Sequence, residues 1–240
     1  MGTQGRNNRQ MDDAERRRVQ RRRRQRQLRR RILTVLICAG ICLMVGIKFG
    51  KKVLFGEQRG EQLYSEADLT GAPEITVDLL DVNEYSRPGI PLKQINGVVI
   101  HYTGNPGSSA KANRDYFNGL KDSQERSASS HFIVGLNGEV IQCIPSSEIA
   151  YASNDRNSDT LSIECCHPDE SGQFAEATYQ SMVELTGWLC ARFGLSSDDV
   201  IRHYDVTGKI CPKYFVEHED AWNQFKADVN NKIIAVQDSM

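Results

Sequence analysis

Apolar positions along this chain recur with two different periods, and together they lay out a fold. The folded part begins near Glu74-Ile75-Thr76-Val77, and Ser86-Arg87-Pro88-Gly89-Ile90-Pro91 reads as a proline-bracketed loop. Ile95–Tyr102 is an apolar run of the length of a buried strand. Residues 108–120 place Ala112, Tyr116, Phe117 and Leu120 on one side of a helix. Ser130–Val134 and Glu139–Ile144 then flank Gly135-Leu136-Asn137-Gly138, and Asn-Gly is a strong hairpin signal. Thr160–Cys165 is a further short strand. Across 175–193, Tyr179, Met182, Val183, Thr186, Leu189, Cys190 and Phe193 form a stripe at helical spacing, with Gly194 placed as a C-terminal cap. Val200–His203 reads as one more strand or its end, and Glu219–Ala235 as a closing helix.

Strands interleave with helices without strict βαβ repetition. The expectation is an α/β domain over 76–235, built on a single central mixed β-sheet flanked by helices.

Charge adds a second region. Residues 1–31 hold thirteen arginines against Asp12, Asp13 and Glu15, an excess of +10. The whole chain carries −1, so −11 falls on the rest. An arginine tail suits phosphate binding, but its neighbour excludes a nucleic-acid arm as the first choice. Residues 32–47 are an uncharged apolar run closed by Lys48, and Phe49, Val53, Leu54 and Phe55 extend it. With Lys48 snorkelling, a helix over 32–50 reaches the roughly 17 residues that spanning requires. No small-x-small cleavage site follows, which favours an uncleaved anchor over a signal peptide. Arg at position 6 rules out an N-myristoylation signal at Gly2. The basic side stays inside. The expectation is a single-pass cell-membrane protein with a cytoplasmic tail (1–31), a transmembrane helix (32–50), a tether (51–75) and an extracellular domain.

Of seven cysteines, Cys38 and Cys42 lie in the apolar run, leaving Cys143, Cys165, Cys166, Cys190 and Cys211. Five is an odd number, and the adjacent Cys165 and Cys166 cannot pair without strain. Disulfides are therefore not expected to stabilise the domain.

Candidate chemistry gathers in Arg202-His203-Tyr204-Asp205-Val206-Thr207-Gly208-Lys209-Ile210-Cys211-Pro212, which sets an imidazole and a thiol eight residues apart. His101 ends an apolar run far upstream. Two imidazoles and a thiolate would leave zinc's fourth position open, the catalytic pattern. The same residues also permit a Cys/His nucleophile pair, with Lys209 lowering the thiol pKa.

Several motifs in order choose between these. Val98-Val99-Ile100-His101-Tyr102-Thr103-Gly104-Asn105, Ser129-Ser130-His131-Phe132-Ile133-Val134, Leu161-Ser162-Ile163-Glu164 and His203–Pro212 resemble the type 2 N-acetylmuramoyl-L-alanine amidases, which share the fold of peptidoglycan recognition proteins. The likeness spans roughly 76–225 and excludes the tail and the span. It implies zinc (Zn2+) held by His101, His203 and Cys211, Glu164 as general base and Lys209 at the oxyanion. It also implies a peptide groove lined by the Ser86–Pro91 loop, Asn105, Ser130 and the segment Tyr151-Ala152-Ser153-Asn154. Ser130 stands where phage members often carry a tyrosine near the metal. His131 reads as core rather than ligand, and His167 and His218 as exposed. The implied activity is hydrolysis of the amide between the lactyl group of N-acetylmuramic acid and L-alanine of peptidoglycan, by a monomeric catalytic domain of an autolysin. The other reading is a recognition module that binds peptidoglycan without cutting it.

Overall fold

The computed structural model describes residues 71–239. The basic tail, the apolar run and the tether up to residue 70 lie outside the described residues. Among the described residues, no helix is long and apolar enough to cross a membrane.

Six strands form one sheet: β1 (Thr76–Val77), β2 (Val98–Tyr102), β3 (Phe132–Val134), β4 (Val140–Gln142), β5 (Leu161–Cys165) and β6 (Val200–Arg202). Their spatial order is β1-β4-β3-β5-β2-β6, and only β3–β4 is antiparallel. The sheet is mixed, as the pattern predicts. The helices are α1 (Ala110–Ser123), α2 (Glu176–Phe193), α3 (His203–Thr207), α4 (Lys213–Glu217) and α5 (Glu219–Gln237), with 3₁₀ turns at Asn154–Ser158 and Ser197–Asp199.

Period-two alternation sorts each strand between two faces. Val98, Ile100, Phe132, Val134, Leu161, Ile163 and Cys165 join one core with α2 and α5. Ile133 and Ile141 join a smaller core with Ala110, Phe117 and Leu120 of α1. Helix α2 departs from the single stripe expected of it. Leu185, Thr186, Gly187, Trp188, Leu189 and Cys190 are all buried, because the sheet covers one side of the helix and α5 the other. Gly194 caps it with φ of 61°, and the Leu195 N–H returns to the Cys190 carbonyl at 2.8 Å, a Schellman closure.

The hairpin also differs in detail from a two-residue Asn-Gly turn. That turn needs φ > 0 at both central residues, whereas here only Gly138 (φ 85°) is left-handed. The Gly138 N–H meets the Gly135 carbonyl at 3.1 Å, and the Gly135 N–H meets the Glu139 carbonyl at 2.8 Å. The result is a three-residue loop ending in a glycine bulge. Packing also begins before residue 76, since Ala72 and Ile75 lie against the main core. The five described cysteines are all free and buried, as expected of a domain without disulfides.

His131 is a core residue. The Ser162 N–H donates to its Nδ1 at 3.0 Å, and its Nε2 faces the Glu148 carbonyl at 2.9 Å, so a neutral ring protonated on Nε2 satisfies both. Burial pulls its pKa down to about 4. An unfolded histidine titrates near 6.5, so below that pH the unfolded chain takes up a proton the native state refuses. Stability fully present above pH 6.5 should therefore fall by roughly 3 kcal/mol on going to pH 4. Urea unfolding across this range, with NMR titration of the His131 ring, checks the prediction.

Candidate active site

Strand register places the first two residues of the site. His101 and Glu164 are directly paired on the parallel strands β2 and β5, so their side chains leave the same face of the sheet. That face is the one α1 only partly covers. The third residue arrives by a different route. Strand β6 ends at Arg202, whose side chain turns into the main core, and His203 opens α3. Gly208 caps α3 with φ of 77°, a conformation that costs glycine little, and the chain doubles back. The Tyr204 N–H then donates to the Cys211 carbonyl at 2.9 Å. A short helix, a glycine cap and one cross-loop hydrogen bond thus bring positions 203 and 211 together.

Arg202 holds this loop from below. It is 8% exposed and donates to both carboxylate oxygens of Asp205, to the Phe215 carbonyl and to Glu219. Its guanidinium also lies between the rings of Tyr204 and Trp222.

One donor atom from each of His101, His203 and Cys211 lies within 4.8 Å of the others, and all three residues are buried. The imidazole centroids are 4.7 Å apart, and His101 Nδ1 faces Cys211 Sγ at 3.8 Å. On the outer side, His101 Nε2 meets Ser153 Oγ at 3.1 Å, and His203 Nε2 meets Asn154 Oδ1 at 3.1 Å.

The protonation states decide between a metal centre and a nucleophile pair. Burial, helped by His203 and Lys209, holds the His101 pKa well below its usual value. Burial and Lys209 lower His203 as well. Burial, with a contribution from Glu164, pushes the Cys211 thiol up to about 12. A nucleophilic pair needs thiolate and imidazolium at neutral pH, and this site favours neither. Two neutral imidazoles and one thiol are instead the donor set that a dication would complete, since cation binding drives the thiol proton off. The residues fit a zinc ion.

Glu164 stands beside this triangle. Its Oε2 is buried without a hydrogen-bond partner, and burial raises its pKa to about 8 against the opposing charge of Lys209. An enclosed, unpartnered carboxyl on a cleft wall is poised for proton transfer. Lys209 is exposed, and among the described residues its ammonium makes no ion pair. The cleft has a volume of about 620 Å³ and runs from His101, Glu164, His203, Lys209 and Cys211 to Tyr116 and Arg126.

Comparison with known proteins fits this geometry. A family model described as N-acetylmuramoyl-L-alanine amidase matches residues 91–214. The chain belongs to that family. Among relatives, N-acetylmuramoyl-L-alanine amidase CwlL of Bacillus licheniformis is 37% identical over 171 residues, covering 66% of this chain and 47% of CwlL. N-acetylmuramoyl-L-alanine amidase BlyA of Bacillus subtilis (strain 168) is 34% identical over 179 residues, again covering 66% and 47%. The chain thus spans about half the length of these curated relatives. The solved catalytic domain of XlyA superposes with a TM-score of 0.55 at 26% identity, covering 65% of this chain and 99% of that domain. PlyL, at 22% identity and a TM-score of 0.57, shares the fold.

Within this amidase domain, the structure brings together His101, His203, Cys211, Glu164 and Lys209. Asn105, Tyr151 and Asn154 line the same cleft. Ser130 does not. It is fully buried, and its hydroxyl lies 2.9 Å from both the Phe132 and Ser162 carbonyls, either of which accepts its one hydrogen. Its neighbour Ser129 lines the cleft in its place. The Ser86–Pro91 loop is also elsewhere. Arg87 grips Glu148 through two 2.7 Å hydrogen bonds, and Pro91 bridges to Glu148. His218 is exposed as expected, but His167 is buried at 1% exposure, packed 5.0 Å from the Tyr102 ring with its Nδ1 on the Asp169 carbonyl.

Sequence reading missed Thr103 and the contributions of α1 and the segment after it: Asn113, Tyr116 and Arg126. Ser153, expected only in a groove-lining segment, is also the outer partner of His101.

Proposed function

We propose that this chain is a zinc-dependent N-acetylmuramoyl-L-alanine amidase acting on peptidoglycan. The supporting observation is the buried His101–His203–Cys211 donor triangle beside the unpartnered carboxyl of Glu164, facing one cleft. The names of relatives such as the N-acetylmuramoyl-L-alanine amidases CwlL and BlyA agree with it.

His101, His203 and Cys211 would hold zinc, which would supply Lewis-acid polarisation of the scissile carbonyl and acidify water at the site. Glu164 takes a proton from the attacking water. It then returns that proton to the L-alanine nitrogen as the C–N bond to the lactyl carbonyl breaks. The charge of Lys209 already opposes the rise of the Glu164 pKa, and a cation held by the three donors would lower it further and make the carboxylate available as a base. Lys209, whose charge is felt at His101, His203, Cys211 and Glu164, offsets negative charge developing on the carbonyl oxygen. Asn105, Tyr151 and Ser129 border the space left for the stem peptide.

The localisation proposal rests on the sequence alone. The arginine-rich tail followed by an apolar run supports a single-pass anchor at 32–50, a cytoplasmic N-terminus and an extracellular domain that works on adjacent wall as an autolysin.

The test is metal analysis of the purified full-length chain with assay on purified cell walls. One zinc per chain and chelator-sensitive release of new L-alanine amino termini are expected. Undiminished cleavage by zinc-free protein would overturn the metal chemistry, and binding to walls without cleavage would leave a recognition module.

A further inference from the structure

Both imidazoles of the donor triangle are held from outside by one dipeptide. Ser153 Oγ meets His101 Nε2 and Asn154 Oδ1 meets His203 Nε2, each at 3.1 Å. The two histidines come from distant elements, β2 and α3, yet adjacent residues of a single turn reach their outer edges. We propose that Ser153-Asn154 is a positioning clamp that fixes the tautomer and orientation of both histidines, so that each presents Nδ1 to a divalent metal. The proposal rests on the metal-centre reading above.

Three features of the dipeptide support this role. Ser153 is 1% exposed, so little water competes for its hydroxyl. Asn157 Oδ1 accepts both the Ala152 and Ser153 N–H groups, at 3.0 and 2.6 Å, which pins the backbone beneath the clamp. Asn154 has φ of 51°, a left-handed conformation uncommon outside glycine but tolerated by asparagine and aspartate. The backbone takes up this conformation where the side chain reaches His203.

The chemistry is directional. An amide oxygen only accepts, so Asn154 requires a proton on His203 Nε2 and leaves Nδ1 with its lone pair. The Ser153 hydroxyl, able to donate or accept, fits the same sense when it accepts from His101 Nε2, and His101 Nδ1 already faces the Cys211 sulfur at 3.8 Å. Outer hydrogen bonds of this kind select the ligating nitrogen, and losing one typically weakens metal binding about 10- to 100-fold. A substrate role for Asn154, expected from the sequence, is thereby narrowed: its oxygen is engaged by His203, and only its amide nitrogen is left for the cleft.

The test measures zinc affinity by chelator competition, together with the visible spectrum of the cobalt-substituted protein. The variants are Asn154→Gly, Asn154→Asp and Ser153→Ala in the full-length chain. Asn154→Gly keeps the left-handed backbone and removes the side-chain amide with its acceptor; it should bind zinc about tenfold or more weakly and shift the cobalt bands. Asn154→Asp restores an acceptor and should recover affinity to within a few-fold of the parent. Ser153→Ala should weaken zinc binding like Asn154→Gly, with metal-free melting close to that of the parent. Equal affinities and unchanged cobalt spectra in a parent that does bind zinc would overturn the clamp. A parent without zinc affinity would instead overturn the metal-centre reading itself.

Discussion

Glu164→Gln should abolish hydrolysis while leaving zinc content intact, and it should make the metal-free domain more stable at pH 8. The kinetic half follows from geometry. Glu164 lies outside the donor triangle but beside it, so glutamine preserves the ligands and removes the proton acceptor; loss of a positioned base typically costs about 10²- to 10⁴-fold in kcat. The stability half follows from burial. The native carboxyl titrates at about 8, whereas unfolded glutamate titrates near 4.5. Between these values the native state keeps a proton that the unfolded chain has released. Stability present below pH 4.5 is therefore lost as pH rises toward 8, by up to roughly 4 kcal/mol. Glutamine carries no such dependence, so the variant should melt above the parent at pH 8, and the gap should close toward pH 5. Calorimetry of both chelated proteins reads the second effect, and wall-digestion rates read the first. A Glu164→Gln protein that cleaves normally would remove the base from the mechanism. One that loses zinc would place the carboxyl among the ligands.

This opposition between stability and activity also explains why the site was only partly legible in the sequence. His101 stands out because it ends an apolar run and Glu164 because it interrupts one, but the role of Glu164 comes from the family resemblance; the parallel register makes the two neighbours. His203 and Cys211 are separated by a glycine cap and a single cross-loop hydrogen bond, which local sequence signals partly announce. Ser130 misled because Ser129-Ser130 lies before β3 with no regular structure, so nothing local says which of the two buried serines borders the cleft. Ser153 is expected only as part of a groove-lining segment: a serine beside an asparagine in a loop is ordinary, and only the tertiary approach of His101 gives it a partner. Helix α2 shows the same limit at the level of the fold. Its periodicity revealed a buried stripe facing the sheet, but α5 covers the opposite side, and burial by a later element leaves little mark on local pattern.

Cys211 carries the other large prediction, and its strongest readout is a pH slope. Metal binding requires a thiolate, yet the Cys211 pKa is about 12 in the metal-free site, so capture of zinc must expel one proton from the sulfur. His101 and His203, both shifted below their usual values, are already neutral above pH 7 and add none. Glu164 adds a fraction as the cation lowers its pKa, so the measurement belongs in the Glu164→Gln background. There, zinc affinity should rise about tenfold per pH unit between pH 7 and 9, the slope of a single proton. In Glu164→Gln/Cys211→Ala the slope should vanish. Absolute affinity should also drop on the order of 10²- to 10³-fold, since roughly 10–16 kcal/mol of zinc binding is shared among a few ligands. Cys211→Ala alone should lose wall hydrolysis while retaining its fold, because a small side chain bordering an open cleft leaves little cavity behind. A pH slope that survived Cys211→Ala would show that the expelled proton comes from another group and would remove the thiol from the donor set. Full hydrolysis by Cys211→Ala would do the same from the side of activity.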